Sequence, residues 1–321
     1  MPDALDQAAL FAGLNESALA DLRGIARPFA ISRGETLFRQ GDPPTGLYVV
    51  ATGLLEIAAR MPGDEDAQVS RIAPGEVVGE FALLDPGPRS ARVSAVGDAA
   101  GLFLPARSFL AMLEEGRAGA VEAIDRLRTL VARRTRATLE RIAQEPHVEP
   151  TELRASPRDE AVADVPLETE TLSGLPRLAG LDEADVAAVL AAGTAQALRR
   201  DARLGTGDGA VWLVVRGAIR AAIERPAGHE QVAVHGPAEW AGLVAAIDGG
   251  AQPLRLSAAE DSILLGVPVE RFARWRTDSG PVGQAVMAGV DRQLVRDQRR
   301  ANRHLGRAIA LERFNAIGNA A

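Results

Sequence analysis

The two halves of the chain repeat each other, and this repeat constrains the fold more than any single motif. Residues 211–217 follow the same pattern as residues 47–53, and residues 231–268 align with residues 68–105 without a gap. Self-similarity of this kind is the signature of a chain built from copies of one structural module. The sequence therefore predicts two tandem domains of the same fold.

Short apolar runs separated by glycine-containing turns fill the first module from about residue 29 to residue 104. The runs at 47–50 and 54–57 are typical of strands, and the segments 33–35 and 41–44 are typical of turns. Many short strands with regular turns indicate a barrel or roll. The predicted core of each domain is therefore a β-barrel or a β-roll.

Helical periodicity frames each predicted roll. Apolar residues recur at helical spacing between Leu10 and Ala26, from Arg117 to Ile142, and again from about Pro281 to Leu311. The predicted fold class is thus mainly β with α: two tandem domains of the β-barrel or β-roll type, each flanked by N-terminal helices and a long C-terminal helix.

The stretch from Val77 to Val93 carries the chemistry of the first module. Two valines lead into Gly79, which permits a sharp turn, and a short helix-compatible run follows. Backbone N–H groups at the start of such a helix favour an anion, and the Arg89 guanidinium just past the next turn can grip a phosphate. Glu80 repels phosphate but accepts hydrogen bonds from hydroxyls. Together these groups describe a site for a sugar phosphate.

This pattern resembles the phosphate-binding cassette of cyclic nucleotide-binding domains, the family of catabolite activator protein and of protein kinase A regulatory subunits. The family pattern is glycine–glutamate, then small and apolar residues, then arginine–serine or threonine–alanine. It is met here by Gly79, Glu80, Phe81, Ala82, Leu83, Arg89, Ser90 and Ala91.

The resemblance implies that the two domains are tandem β-rolls of the jelly-roll kind, and it implies a role for each group of the cassette. Glu80 would bind the ribose 2′-hydroxyl and Arg89 the cyclic phosphate, with backbone N–H groups around Phe81 and Ala82 and the Ser90 hydroxyl completing the cage. Thr138, or its neighbour Thr135, on the helix after the roll would lie near the base, with a simple packing role as the alternative. The expected ligand is cAMP. Because the Ser90 hydroxyl can also meet guanine, cGMP is the alternative.

The second module keeps the turn glycine of the cassette but loses the acid and the arginine. Aligning the two copies pairs Gly242 with Gly79, Leu243 with Glu80, Gln252 with Arg89, Pro253 with Ser90 and Leu254 with Ala91. Charge-assisted hydrogen bonds contribute about 1.5–3 kcal/mol each, so losing both groups costs roughly two to four decades of affinity. We therefore expect the second copy to keep the fold without binding a cyclic nucleotide well, its leucines filling the site.

The predicted domains are residues 1–143 and residues 173–321, joined by an acidic, proline-rich linker at 144–172. Between Glu145 and Glu170 eight acidic residues face two arginines, which is typical of an extended, poorly packed segment.

Composition excludes several classes of chemistry. The chain of 321 residues has no cysteine, which removes disulfides and thiolate metal sites, and all 36 basic residues are arginine, which removes lysine-dependent phosphate loops and Schiff bases. The sequence has no Gly-x-Ser-x-Gly elbow and no His-x-His pair of a metal-dependent cupin. His229 and His235 would stand roughly 20 Å apart on an extended strand. We therefore expect neither an enzyme nor a metal site.

Charge and targeting features bear on partners and location. The net charge of −7 argues against direct nucleic-acid binding, although the final helix is rich in arginine. The N-terminus lacks the basic region of a signal peptide and no apolar run is long enough to span a membrane, so a cytoplasmic protein is expected.

The predicted function is that of a cAMP-sensing regulatory protein, in which ligand binding to the first domain moves the 117–142 helix and thereby controls an unidentified protein effector. One alternative is a scaffold that uses both rolls without ligand. Another is a transcription regulator of the same family that lacks its own helix-turn-helix. The two long helices are expected to pair, either within one chain or across a homodimer, and the sequence leaves that choice open.

Overall fold

The computed structural model describes residues 3–60, 66–144, 163–205, 209–225 and 228–318. Contacts divide the chain into two units, Met1–Leu130 and Val131–Ala321. The division falls inside a helix, upstream of the boundary at 143 that the sequence predicts. The reason is that the C-terminal part of this helix has its contacts in the second unit.

The first unit is a two-sheet roll framed by short helices. Its strands are β1 (Arg27–Ile31), β2 (Thr36–Phe38), β3 (Gly46–Thr52), β4 (Leu55–Arg60), β5 (Asp66–Ile72), β6 (Val77–Val78), β7 (Arg92–Ala95) and β8 (Ala99–Pro105). The helices are α1 (Asp3–Gln7), α2 (Glu16–Ile25), α3 (Phe81–Leu84), α4 (Ala106–Glu114) and α5 (Ala118–Gln144), which ends in the second unit.

Two antiparallel four-stranded sheets make the first roll, in the orders β1-β8-β3-β6 and β2-β7-β4-β5. Val50, Leu55 and Val93 are almost fully buried in the space enclosed by these strands. The Tyr48 ring lies against Phe103, with ring centroids 4.7 Å apart, and its edge contacts Phe29. The core is thus an apolar cluster with one aromatic side.

The second unit repeats this architecture. Its strands are β9 (Ala163–Asp164), β10 (Thr194–Leu198), β11 (Ala210–Arg216), β12 (Ile219–Arg225), β13 (Gly228–His235), β14 (Trp240–Ala241), β15 (Arg255–Ala258) and β16 (Ser262–Pro268). Its helices are α6 (Thr169–Ser173), α7 (Glu183–Ala191), α8 (Leu243–Asp248), α9 (Val269–Thr277) and α10 (Pro281–Gly318).

The order β14-β11-β16-β10 repeats that of β6-β3-β8-β1, with β9 added at its edge, and the order β13-β12-β15 repeats that of β5-β4-β7. The register irregularity in β3, between Val50 and Thr52, recurs in β11 between Val214 and Arg216. The predicted fold class of two tandem β-rolls with a long C-terminal helix is confirmed.

Both units begin their helix before the roll with the same capping device. The Asn15 side chain accepts a hydrogen bond from the Ala18 amide at 2.9 Å, and the Asp182 side chain accepts one from the Asp185 amide at 2.8 Å. Such caps satisfy backbone donors that a helix start leaves unpaired. The apolar pattern at 10–14 is buried but is not helical, so the predicted helix over 10–26 is present only as α2.

The C-terminal part of α5 packs against α10 within the second unit. The Thr135 hydroxyl lies 2.6 Å from the Gln298 side-chain oxygen. Leu139 and Ile142 share an apolar cluster with Ala301 and Leu305. These contacts hold the two long helices together in a single chain.

The predicted linker is partly folded. Residues 145–162 lie outside the described residues, whereas β9 pairs with β10 and α6 buries Leu172 completely. Residues 163–172 therefore belong to the second unit, because this stretch supplies a strand edge and an apolar anchor.

The three tryptophans all lie in the second unit. Trp212 and Trp240 are buried, and Trp240 contacts both Phe272 and Trp275, with ring centroids 5.3 and 6.3 Å away.

Within the described ranges, no helix combines the length and apolar character needed to cross a bilayer.

Candidate functional site

The predicted cassette occupies the connection from β6 to β7. Strand β6 pairs with β3, where Val78 stands opposite Tyr48, and the chain turns at Gly79 before entering the four-residue helix α3. Ala82, Leu83 and Leu84 bury the inner face of this helix. The local sequence thus brings Glu80 and Arg89 to a turn whose position the apolar residues fix.

Arg89 is the centre of the site. Its side chain is only 6% exposed, although it carries a permanent charge. Nη1 donates to the Gly79 carbonyl at 3.0 Å, and Nη2 donates to the Gly46 carbonyl at 2.8 Å and to the Thr45 hydroxyl at 3.3 Å. The guanidinium carbon also lies 4.1 Å from the centroid of the Phe38 ring.

These contacts orient the guanidinium without neutralising it. All three hydrogen-bond acceptors are uncharged oxygens, and burial lowers the pKa of Arg89 despite the opposing influence of Tyr48, Glu80 and Asp42. Its Nε is buried and has no hydrogen-bond partner among the described residues. A buried cation with an unused donor is an arrangement that an anionic ligand would complete.

Gly79 is required by this geometry. Its φ of +83° lies in the left-handed region, where side chains with a Cβ are strained. A Cβ atom at this position would lie 2.6 Å from Nη1 of Arg89 and 3.0 Å from the Gly46 carbonyl oxygen. The glycine therefore allows the backbone to approach the guanidinium.

The other predicted cassette residues are brought together around the same turn. Glu80 is 7% exposed and immediately precedes α3. Phe81 and Ala91 are half-buried, whereas Ser90 is exposed. The Ala82 amide, which the resemblance assigns to phosphate, donates to the Gly79 carbonyl at 3.1 Å in this structure. That bond must be exchanged if the amide is to bind a ligand.

Thr138 is the one predicted site residue that lies in the second unit. It is 9% exposed, and its hydroxyl lies 2.9 Å from the Arg134 carbonyl and 3.4 Å from the Asn302 side-chain oxygen. The structure therefore shows it in contact with α10. A role for Thr138 at the base stays a prediction, and so does the equivalent role of Thr135.

The second cassette keeps the turn and fills the site differently. Gly242 adopts a φ of +87°, close to that of Gly79, and the side chain of Gln252 approaches it as Arg89 approaches Gly79. Leu243 is 4% exposed, in the position where Glu80 stands in the first roll. The second site thus presents an amide and an apolar side chain in place of a cation and an acid.

Sequence reasoning missed the residues that hold Arg89. Phe38, Thr45 and Gly46 lie more than forty positions away along the chain, and each reads locally only as a strand or turn residue. A cavity of about 370 Å³ at the open edge between β1 and β2 was likewise not foreseen, and Tyr48 and Phe103 form part of its wall. In the described part of the chain, no group of three or more acidic or histidine side chains is arranged to hold a metal ion.

Comparison with known proteins agrees with this geometry. Residues 28–115 match the family model of the cyclic nucleotide-binding domain. The chain is similar to the CRP-like cAMP-activated global transcriptional regulator of Mycobacterium tuberculosis, with 31% identity over 96 residues, or 30% of this chain and 43% of the relative. It is also similar to the cAMP-dependent protein kinase regulatory subunit of Dictyostelium discoideum, with 29% identity over 29% of each chain.

Among solved structures, the N-terminal domain of a transcriptional regulator from Streptomyces coelicolor is 34% identical, with a TM-score of 0.37. That match covers 42% of this chain and 94% of the other. The match to the Mycobacterium tuberculosis regulator spans less than half of its length. Residues 28–115, which contain the cassette built around Arg89, are therefore identified as a cyclic nucleotide-binding domain.

Proposed function

We propose that the first roll binds one cyclic nucleotide, cAMP in preference to cGMP, and that the protein is a cytoplasmic regulator rather than an enzyme. The observation that carries this proposal is the Arg89 guanidinium. It is buried, oriented by neutral oxygens, and left with an unpartnered Nε beside the buried Glu80. A cyclic phosphate attached to a ribose supplies an anion for the first group and a hydroxyl for the second.

The regulatory step follows from the position of α5, which leaves the first roll and continues into the second unit. We propose that nucleotide binding shifts the equilibrium between two positions of this helix and so changes the surface offered to a protein effector. The relatives named above, a transcription regulator and a kinase regulatory subunit, support a regulatory role. We expect no direct contact with nucleic acid.

The pairing of α5 with α10 inside one chain favours an intramolecular arrangement of the long helices over a homodimer. Thr135 and Leu139, which would face a partner in a dimer seam, are already buried against residues of α10 or share its apolar cluster. We therefore propose that the protein acts as a monomer. Sedimentation of the sample used for calorimetry distinguishes the two states.

Titration calorimetry with cAMP and with cGMP tests the proposed function. We expect saturable binding at one site per chain and tighter binding of cAMP. Two sites per chain would contradict the inactive second cassette. Binding of neither nucleotide would refute the proposal and leave the ligand-independent scaffold as the better explanation.

A double-mutant cycle, in which one change is made in Glu80 and the other in the ribose of the ligand, tests the role of Glu80. If its carboxylate accepts a hydrogen bond from the ribose, Glu80→Ala should weaken binding of cAMP by about tenfold, since one such bond contributes roughly 1.5 kcal/mol. The same substitution should hardly affect binding of 2′-deoxy-cAMP. An equal loss of affinity for the two ligands would show that Glu80 does not bind the ribose 2′-hydroxyl.

A further inference from the structure

The turn of the second cassette holds a guanidinium. Arg136, on α5, donates through Nε to one carboxylate oxygen of Asp248 at 2.6 Å and through Nη2 to the other at 2.7 Å. Nη1 donates to the Ala251 carbonyl at 2.6 Å. All three residues lie in the second unit. Bidentate pairing of this kind is among the strongest side-chain hydrogen bonding in proteins.

The turn is shaped for this occupant. The side chain of Asp248 is 2% exposed and also accepts a hydrogen bond from the Gly250 amide at 3.0 Å. A Cβ atom on Gly250 would lie 2.6 Å from Nη2 of Arg136 and 2.8 Å from its guanidinium carbon. Because glycine has no Cβ atom, the planar guanidinium can lie directly against the backbone at this position.

The electrostatics of the pair agree with its geometry. Burial alone would raise the pKa of Asp248, but hydrogen bonds from Arg136 and from the Gly250 amide, with the positive charge of Arg136, hold that pKa below its ordinary value. The hydrogen bond to Asp248 raises the pKa of Arg136. Both groups are therefore charged at neutral pH, and separating them would leave a buried carboxylate without its counterion.

The helix that carries Arg136 also reaches the first unit. In that unit Ala120, Ala123 and Leu127 of α5 are completely buried. Because α5 is one continuous helix from Ala118 to Gln144, unbroken helical backbone joins these buried residues to Arg136. A movement of α5 that carries Arg136 away from Asp248 would have to break this pair.

We propose that the second cassette has become a guanidinium-binding site whose occupant is Arg136, and that this contact is a latch that holds α5 and opposes nucleotide binding in the first roll. The inference rests on the proposed function for its second part. It predicts that opening the latch loosens the end of α5 and tightens cAMP binding, because the energy needed to break the contact no longer has to come from the ligand.

Hydrogen exchange and calorimetry on the full chain test the latch together. Arg136→Gln should accelerate exchange of the amides at 131–144 by about tenfold or more and tighten cAMP binding by about fivefold or more. Arg141→Gln, which removes an exposed arginine from the same helix, is the matched control and should change neither quantity.

A second variant disturbs the same contact without removing the charge of Arg136, so it checks that the effects of Arg136→Gln do not come from misfolding. Gly250→Ala leaves Arg136 and Asp248 in place but inserts a methyl group under the guanidinium, so it should reproduce both effects of Arg136→Gln. Combining the two variants should add little, because each removes the same contact.

The outcomes separate the latch from the proposed function. Unchanged exchange at 131–144 in Arg136→Gln would overturn the latch, and faster exchange with unchanged or weaker cAMP binding would overturn its control of the first roll. If the wild-type protein binds neither nucleotide, the proposed function fails and the control of binding fails with it. The exchange data then decide alone whether the second cassette holds α5.

Discussion

Replacing Arg89 with glutamine tests the phosphate site most directly. The guanidinium has five N–H donors, and three are used in the contacts with Gly79, Thr45 and Gly46 that the structure describes. Two donors, one of them the buried Nε, are then left for a ligand. The glutamine side chain is still polar, but it lacks the positive charge and the paired N–H donors of the guanidinium.

The expected loss follows from those two donors. A charge-assisted hydrogen bond contributes at least about 1.5 kcal/mol, so two contribute about 3 kcal/mol, or about a hundredfold in Kd. The effect on folding should be smaller. The variant loses hydrogen bonds to neutral oxygens, but it also removes a desolvated charge, and we expect the free energy of unfolding to change by less than about 2 kcal/mol.

Calorimetry with cAMP measures the affinity, and thermal unfolding followed by circular dichroism checks that the variant is folded. Gln252→Ala, at the equivalent position of the second roll, is the control and should not weaken cAMP binding. If folded Arg89→Gln binds cAMP within threefold of the wild type, Arg89 does not bind the phosphate and the reasoning from its unused donors is wrong.

Two further predictions concern backbone strain and pH. Gly79→Ala should lower stability by about 1–2 kcal/mol, because of its left-handed φ, and weaken cAMP binding at least tenfold by displacing Arg89. Gly242→Ala in the second roll has the same strain and should lower stability without weakening cAMP binding in calorimetry. Burial raises the pKa of Asp297 in the folded protein, so the stability that this carboxyl contributes is fully present below about pH 4 and is lost as pH rises through that raised pKa. Asp297→Asn should therefore have a higher Tm than the wild type at pH 7 and the same Tm near pH 3. An equal or lower Tm at pH 7 would contradict the idea that burial of the charged carboxylate destabilises the protein.

Local sequence was sufficient to predict most of the strands and the turn that brings the cassette residues together. Alternating apolar residues and turn glycines define the rolls, and the residues from Gly79 to Ala91 meet at one turn because they are neighbours in sequence. The caps at Asn15 and Asp182 likewise depend on residues three positions away. Contacts between residues a few positions apart depend on a short stretch of sequence, so they can be predicted without knowledge of the fold.

Contacts between distant residues could not be predicted in this way. The pairing of Arg136 with Asp248 joins positions 112 residues apart, and nothing near either residue distinguishes it from other surface charges. The support of Arg89 by Phe38 and Gly46 depends on how β2 and β3 meet. The pattern at 10–14 was predicted to be helical because buried turns and helices can share the same apolar spacing.

The distribution of aromatic residues gives this protein two internal optical reporters. The single tyrosine, Tyr48, lies in the first roll, whereas Trp212, Trp240 and Trp275 all lie in the second unit. Tryptophan emission, excited at wavelengths that tyrosine does not absorb, therefore reports on the second unit alone. A change in that emission when a nucleotide occupies the first roll would be a label-free signal of communication along the chain, and stopped-flow mixing would give its rate.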